Sequence, residues 1–174
     1  LGLRTTDFEL SYVFLYEYVT GGGTFSARSL DVPSGSLLRE GTAMIRSLAE
    51  DFSRVPGVHV SVLQDVRLPR LSLASDNIVE IDDAEGERRA MRDLSQRADW
   101  TVLIAPEFDD ILLDRCRWAE STGARLLSPP SPFVELASNK DRTAEQLRQH
   151  GIAVPTAITL QPGQRLPDDF PYPA

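Results

Sequence analysis

The sequence predicts an α/β fold: a doubly wound parallel sheet with helices on both faces. Three observations carry this. Short apolar runs rich in β-branched and aromatic residues alternate with segments of helical period. The connections between them suit βαβ units, which pair strands in parallel. The 174 residues are 41% apolar, enough for one buried core plus part of a second unit.

The first strand is "YVFLYEY", residues 12–18, aromatic and β-branched throughout. The long loop "TGGGTFSARSLDVPSGS" follows. Residues 37–52 have a helical stripe, Leu37/Leu38, Gly41, Met44/Ile45, Leu48 and Phe52, with Ser36 as its N-cap. "VPG" breaks that helix before a second strand, "VHVSVL", residues 58–63. Residues 67–74 have no clear period, and 78–81 read as a short strand. Residues 86–97 form a polar helix with Met91 and Leu94 turned inward. "WTVLIA", residues 100–105, is the clearest buried strand and is expected at the sheet centre. Residues 108–121 form the next helix, on the stripe Phe108, Leu112, Cys116, Ala119, and 125–127 a last short strand.

The segment "SNKDRTAEQLRQHGIAVP" raises a different question. Ser138 and Asp141 form an S-x-x-D capping pattern, Gly151 ends the run, and Pro155 keeps the helix from restarting. Lys140 then stands in the first turn, where the backbone N–H groups already carry partial positive charge. Two positive features aimed at one point suit an anion such as phosphate. The alternative is a surface lysine whose stem snorkels along the apolar stripe. Residues 156–160, "TAITL", read as a strand, and a proline-rich stretch, 162–174, as a tail without anchors.

Composition narrows the functions. The net charge is −8, with no basic run, which argues against a nucleic-acid surface or an anionic membrane face. No apolar stretch has the length of a bilayer span, and no signal peptide is visible. One cysteine excludes an internal disulfide framework and fits a reducing, cytoplasmic setting; on its stripe it is a small core residue. His59 and His150 make no histidine metal site.

Doubly wound sheets bind ligands outside the carboxyl ends of their strands. Two loops lie there, "YVTGGG" and "APEFDD". "TGGG" is not the fingerprint G-x-G-x-x-G, and no helix starts directly behind it, which disfavours a nucleotide-cofactor oxidoreductase.

The order "LLREGTAMIRSLAEDF", "ADWTVLIAPEFDDILL", "SNKDRTAEQLRQHGIAVPT" resembles the N-terminal part of ATP-grasp carboxylate–amine ligases, in particular the tyramine–glutamate ligase-like group. The resemblance covers residues 12–155. It implies a Rossmann-like pre-ATP-grasp domain over 12–130 and the truncated start of an ATP-grasp domain over 131–174; residues 1–11, which lack an initial methionine and a clear period, read as a disordered or tag-derived start. It implies a parent enzyme that joins a carboxylate to an amine through an acyl-phosphate, using ATP and Mg²⁺. Lys140 would be a phosphate contact. The second phosphate lysine, the glycine-rich loop, the adenine pocket and the metal ligands belong beyond residue 174. The fragment alone is thus expected to be inactive, without catalytic or metal-ligating residues and without bound cofactor. Its partners would be the carboxylate and amine substrates and the rest of the ATP-grasp domain, with no nucleic acid and no membrane; a homodimer is allowed.

The resemblance also makes Glu17, Gly21, Gly22, Gly23, Glu40 and Glu107 candidates for the substrate pocket, the three glutamates as partners of an ammonium group. Each has a plainer reading. Glu17 alternates within a strand, where it would face solvent or pair with an arginine. Glu40 lies in a first helical turn, where any carboxylate is favoured, and Glu107 stands where it would cap the next helix. The glycines suit special backbone geometry. A non-catalytic α/β domain that binds a small molecule remains the competing reading.

Overall fold

The computed structural model describes residues 10–26 and 31–168. Four strands form one sheet: β1 (Ser11–Glu17), β2 (Val58–Asp65), β3 (Asn77–Ile81) and β4 (Trp100–Ile104), in the order β3-β2-β1-β4. Every pairing is parallel, with Leu15 opposite Val62 on one side and opposite Val102 on the other. Helix α1 (Gly35–Ser53) packs on one face; α2 (Ala84–Arg97) and α3 (Ile111–Ser121) pack on the other. The expected α/β class is present.

The period of two in β1 explains the two layers. Val13 and Leu15 join Val60 and Val62 of β2 and Ile45 and Ala49 of α1 in one buried cluster. Phe14 and Tyr16, fully buried, turn to the opposite face. The aperiodic segment after β2 crosses to β3 without a helix, and its Leu71 and Leu73 pack against the α1 cluster.

Five local expectations are corrected. "WTVLIA" is not central: β1 has two full neighbours, whereas β4 has β1 on one side and a single bridge, Thr101 to Leu126, on the other. That bridge is all that forms of the strand expected at 125–127. The helix expected from Phe108 is broken by Asp109 and Asp110, at φ 53° and 57°. Aspartate is among the few residues that enter this left-handed region readily. The break turns Phe108 out to 57% exposure, and Leu113, Cys116 and Ala119 form the buried stripe instead. Helix α1 starts at Gly35, two residues before the expected start, with Ser34 in the cap position and no side-chain capping bond. Helix α2 starts at Ala84, because the Asp83 carboxylate accepts from the Gly86 N–H.

Cys116 is buried, and burial pushes its thiol up to about 11. At pH 8 only about one thiol in a thousand is then ionised, and only the thiolate reacts. Alkylation by iodoacetamide is expected to require unfolding. Full labelling within minutes in native buffer would contradict this placement.

The chain divides into two compact units, Leu1–Ser131 and Pro132–Ala174. Helix α4 (Ser131–Ala137) begins at the junction, and the second unit holds α5 (Lys140–Gln149). The cap of α5 is Asn139, one residue beyond the expected Ser138; its side chain accepts from the Arg142 N–H at 2.9 Å. Asp141 bonds instead to the Thr159 hydroxyl. "TAITL" forms no strand. Within the proline-rich stretch, Gln161 and Gln164 close a turn. The expectations for residues 1–9 and 169–174 fall outside the described residues.

Candidate functional site

The sheet order places a switch point between β1 and β4. From β1 the chain leaves toward α1 on one face; from β4 it leaves toward α3 on the other. The two loops diverge and leave a crevice at the carboxyl ends of these strands, as such topology requires. A cleft of about 750 Å³ opens there. Tyr18, Thr24 and Ser26 line it from the β1 side. Phe108, Asp109, Asp114 and Arg115 line it from the β4 side. A second cleft, of about 510 Å³, lies at the amino ends of the strands beside Tyr12, His59 and Asp76. The switch-point cleft is the better candidate, since loops from two diverging crossovers converge on it.

Beneath the cleft lies a buried polar triad from three elements. The Tyr16 hydroxyl of β1 donates to Glu87 Oε1 of α2 at 2.6 Å. Arg115 of α3 donates from Nε to the Tyr16 oxygen at 3.2 Å, and its Nη2 pairs with Glu87 Oε1 at 3.0 Å. Glu87 is 1% exposed, yet its charge is met by the guanidinium, the phenol and the first turn of α2. Burial raises the Tyr16 phenol well above its usual pKa, and the Glu87 carboxylate adds to this. Burial works against the Arg115 cation, but the Tyr16 oxygen and the Glu87 carboxylate beside it outweigh that and its pKa is raised. The triad therefore sets one fixed cation in the cleft wall, with the Tyr18 ring 5.5 Å from its guanidinium carbon.

Sequence reasoning missed this triad, although a signal was present. Glu87 is four residues before the inward Met91, and Arg115 lies between Leu112 and Ala119 on the stripe of α3. Charged residues on an apolar face require partners. A similar tie holds the β1 loop: Arg67 is bidentate to the buried Asp65, donates to Thr24 Oγ1 at 2.6 Å, and lies 3.6 Å over the Phe25 ring.

The sequence-derived candidates separate into three places. Glu17 and Gly21–Gly23 lie together, all buried, in the turn after β1. The Glu17 carboxylate accepts from the Val19 and Thr20 N–H groups, at 3.1 and 2.7 Å, and from the Thr20 hydroxyl at 2.7 Å. It does not face solvent, and no arginine pairs with it among the described residues; it fixes the turn from within. The glycines are there for space. Gly22 has φ +91°, and a Cβ on Gly23 would lie 2.3 Å from the Tyr18 ring. Glu107 is exposed beyond β4, and its side chain caps nothing. Glu40 is exposed on α1, and its placement in a first turn is corrected: with the helix starting at Gly35 it is the sixth residue. Lys140 is the first residue of α5, exposed, in the second unit. It is also the only lysine in a chain whose other cations are all arginine.

Gly41 of α1 faces Glu17. A Cβ there would lie 2.6 Å from the Glu17 carboxyl carbon, which three hydrogen bonds hold in place. Helix propensity alone gives Gly→Ala a gain of roughly 1 kcal/mol. The packing reverses the sign, and Gly41→Ala is expected to destabilise by about 1–3 kcal/mol in urea unfolding. A stabilised variant would show that the carboxylate is free to move aside.

Residues 58–134 match the family model of a pre ATP-grasp 3 domain. The match runs from β2 through β4 and α3 and so includes one wall of the cleft. Among solved structures, N5-carboxyaminoimidazole ribonucleotide synthetase from Thermotoga maritima is similar at 20% identity and TM-score 0.48, over 84% of this chain and 33% of that one. The ADP complex of purK, a second such synthetase, is similar at 16% identity and TM-score 0.48, over 85% and 31%. The phosphoribosylaminoimidazole carboxylase ATPase subunit from Aquifex aeolicus follows at 16% and TM-score 0.44, over 83% and 33%. This chain thus spans about a third of the length of these structures. No curated protein matches it. Among the described residues, no helix is long and apolar enough to cross a membrane, and no three His, Cys, Asp or Glu side chains gather as a metal site.

Proposed function

We propose that this chain is the N-terminal part of an ATP-dependent ligase that joins a carboxylate to an amine, of the tyramine–glutamate ligase-like kind. The observation that carries the reading is the match of residues 58–134 to a pre ATP-grasp 3 domain. In this reading Leu1–Ser131 is the pre-ATP-grasp domain, and Pro132–Ala174 begins the ATP-grasp domain. The switch-point cleft receives a substrate, and Lys140 meets ATP phosphate oxygens at the start of α5, where the Asn139 cap leaves other first-turn N–H groups free.

A carboxylate oxygen of one substrate attacks the γ-phosphorus of ATP, and the bond to the β-phosphate oxygen breaks, releasing ADP. The amine then attacks the acyl carbon, phosphate leaves, and the amine nitrogen gives up a proton. Mg²⁺ supplies charge neutralisation on the phosphates. Positioning and electrostatics carry such transfers, so a point charge such as Lys140 suits the anion. Of the candidates, Glu107 and Glu40 retain exposed carboxylates for an amine, whereas Glu17 and the glycines shape the turn that forms the cleft wall. Catalysis belongs to the parent protein, in the cytoplasm, and not to these 174 residues alone.

The test is a coupled assay on the protein from the complete reading frame. ADP release that requires both a carboxylate and an amine, with an amide found by mass spectrometry, is expected. ADP release that ignores both, or ligand binding without ATP turnover, favours the non-catalytic domain.

A further inference from the structure

We propose that the switch-point cleft binds a small zwitterion with an apolar body, its carboxylate on the free edge of Arg115 and its ammonium beside Asp109 and Asp114. The proposal rests on reading this cleft as a substrate site and names the chemical class it takes. Arg115 uses Nε for Tyr16 and Nη2 for Glu87, and its Nη1 has no partner among the described residues. The side chain is 20% exposed, and it lines the cleft. The guanidinium is held by two buried partners, and a fixed planar fork is the geometry that carboxylates match.

Charge decides against a phosphate ligand. Glu87 already offsets Arg115, and Asp109 and Asp114 add two exposed carboxylates to the same lining. Neither aspartate side chain is engaged in a hydrogen bond or ion pair among the described residues. A polyanion would meet net repulsion there, whereas a ligand carrying one group of each sign meets a partner for both. Phe108, 57% exposed, and Ile111 give the same cleft an apolar wall for the body of the ligand. Its volume of about 750 Å³ has room for such a molecule.

The test uses the 174-residue chain with four probes: L-phenylalanine, N-acetyl-L-phenylalanine, phenethylamine and inorganic phosphate. Amide shifts of Thr24, Ser26, Asp109 and Asp114 report binding. Phenylalanine is expected to bind about fivefold or more tighter than either singly charged analogue. Asp114→Asn should remove much of its advantage over N-acetylphenylalanine. Arg115→Met should remove its advantage over phenethylamine. Should Arg115→Met fail to fold, Asp114→Asn decides alone, because Asp114 is exposed and unpaired among the described residues. Equal binding of the three organic probes, tighter binding of phosphate, or no shift at these amides overturns the proposal. The ligase reading is judged separately, by substrate-dependent ADP release.

Discussion

Glu87→Ala is expected to destabilise the protein by about 3–5 kcal/mol, the usual consequence of removing one member of a buried ion pair. The alanine leaves two groups stranded. Arg115 keeps a charge that is largely out of water, and the fully buried Tyr16 hydroxyl loses the acceptor 2.6 Å away. A domain of ordinary stability has about 5–15 kcal/mol in total, so the variant stands close to unfolding at room temperature. The double variant Glu87→Met with Arg115→Met should regain most of the loss, because no charge remains buried and the volumes stay similar. Glu87→Gln should fall between, since its amide oxygen still accepts from Tyr16. Urea unfolding of the four proteins measures this directly. A loss below about 1 kcal/mol for Glu87→Ala would mean that Arg115 swings into water once freed, and that the triad is not what anchors it.

In the ligase proposed as the parent of this chain, Lys140→Ala is expected to lower kcat/KM for ATP by roughly 10- to 150-fold, the worth of about 1.5–3 kcal/mol for a charge-assisted contact to phosphate. The fold should not suffer. Lys140 is exposed at the first position of α5, so truncation removes little packing. Lys140→Arg should recover only part of the rate, because a planar fork does not reproduce a point charge. Arg142→Ala is the control: its side chain pairs with Glu135 at 3.5 Å on the surface, and its loss should leave the kinetics nearly unchanged. Unchanged kinetics for Lys140→Ala beside a large loss for Arg142→Ala would assign the phosphate role to the wrong residue. Silence in both would return Lys140 to an ordinary surface lysine.

What the sequence determined by itself was the alternation of elements. The aromatic and β-branched run in β1, the stripe of α1 and the apolar run of β4 are local patterns. Local patterns define strands and helices because side-chain period follows backbone geometry. The positions of the two loops at strand carboxyl ends followed from the same alternation. Tertiary structure decided which strand is central, since pairing order depends on contacts between residues far apart in sequence. It decided that Glu17 turns inward to the β1 turn, because only the approach of Gly41 closes that space. It decided that Phe108 leaves the stripe, through two left-handed aspartates that no periodicity reveals. It also decided the triad: Glu87 and Arg115 lie 71 and 99 positions from Tyr16, and the three meet only when two crossovers return to one face of the sheet. A buried charge is tolerated where its partner arrives from elsewhere in the chain, and that arrival is a property of the fold and not of the segment.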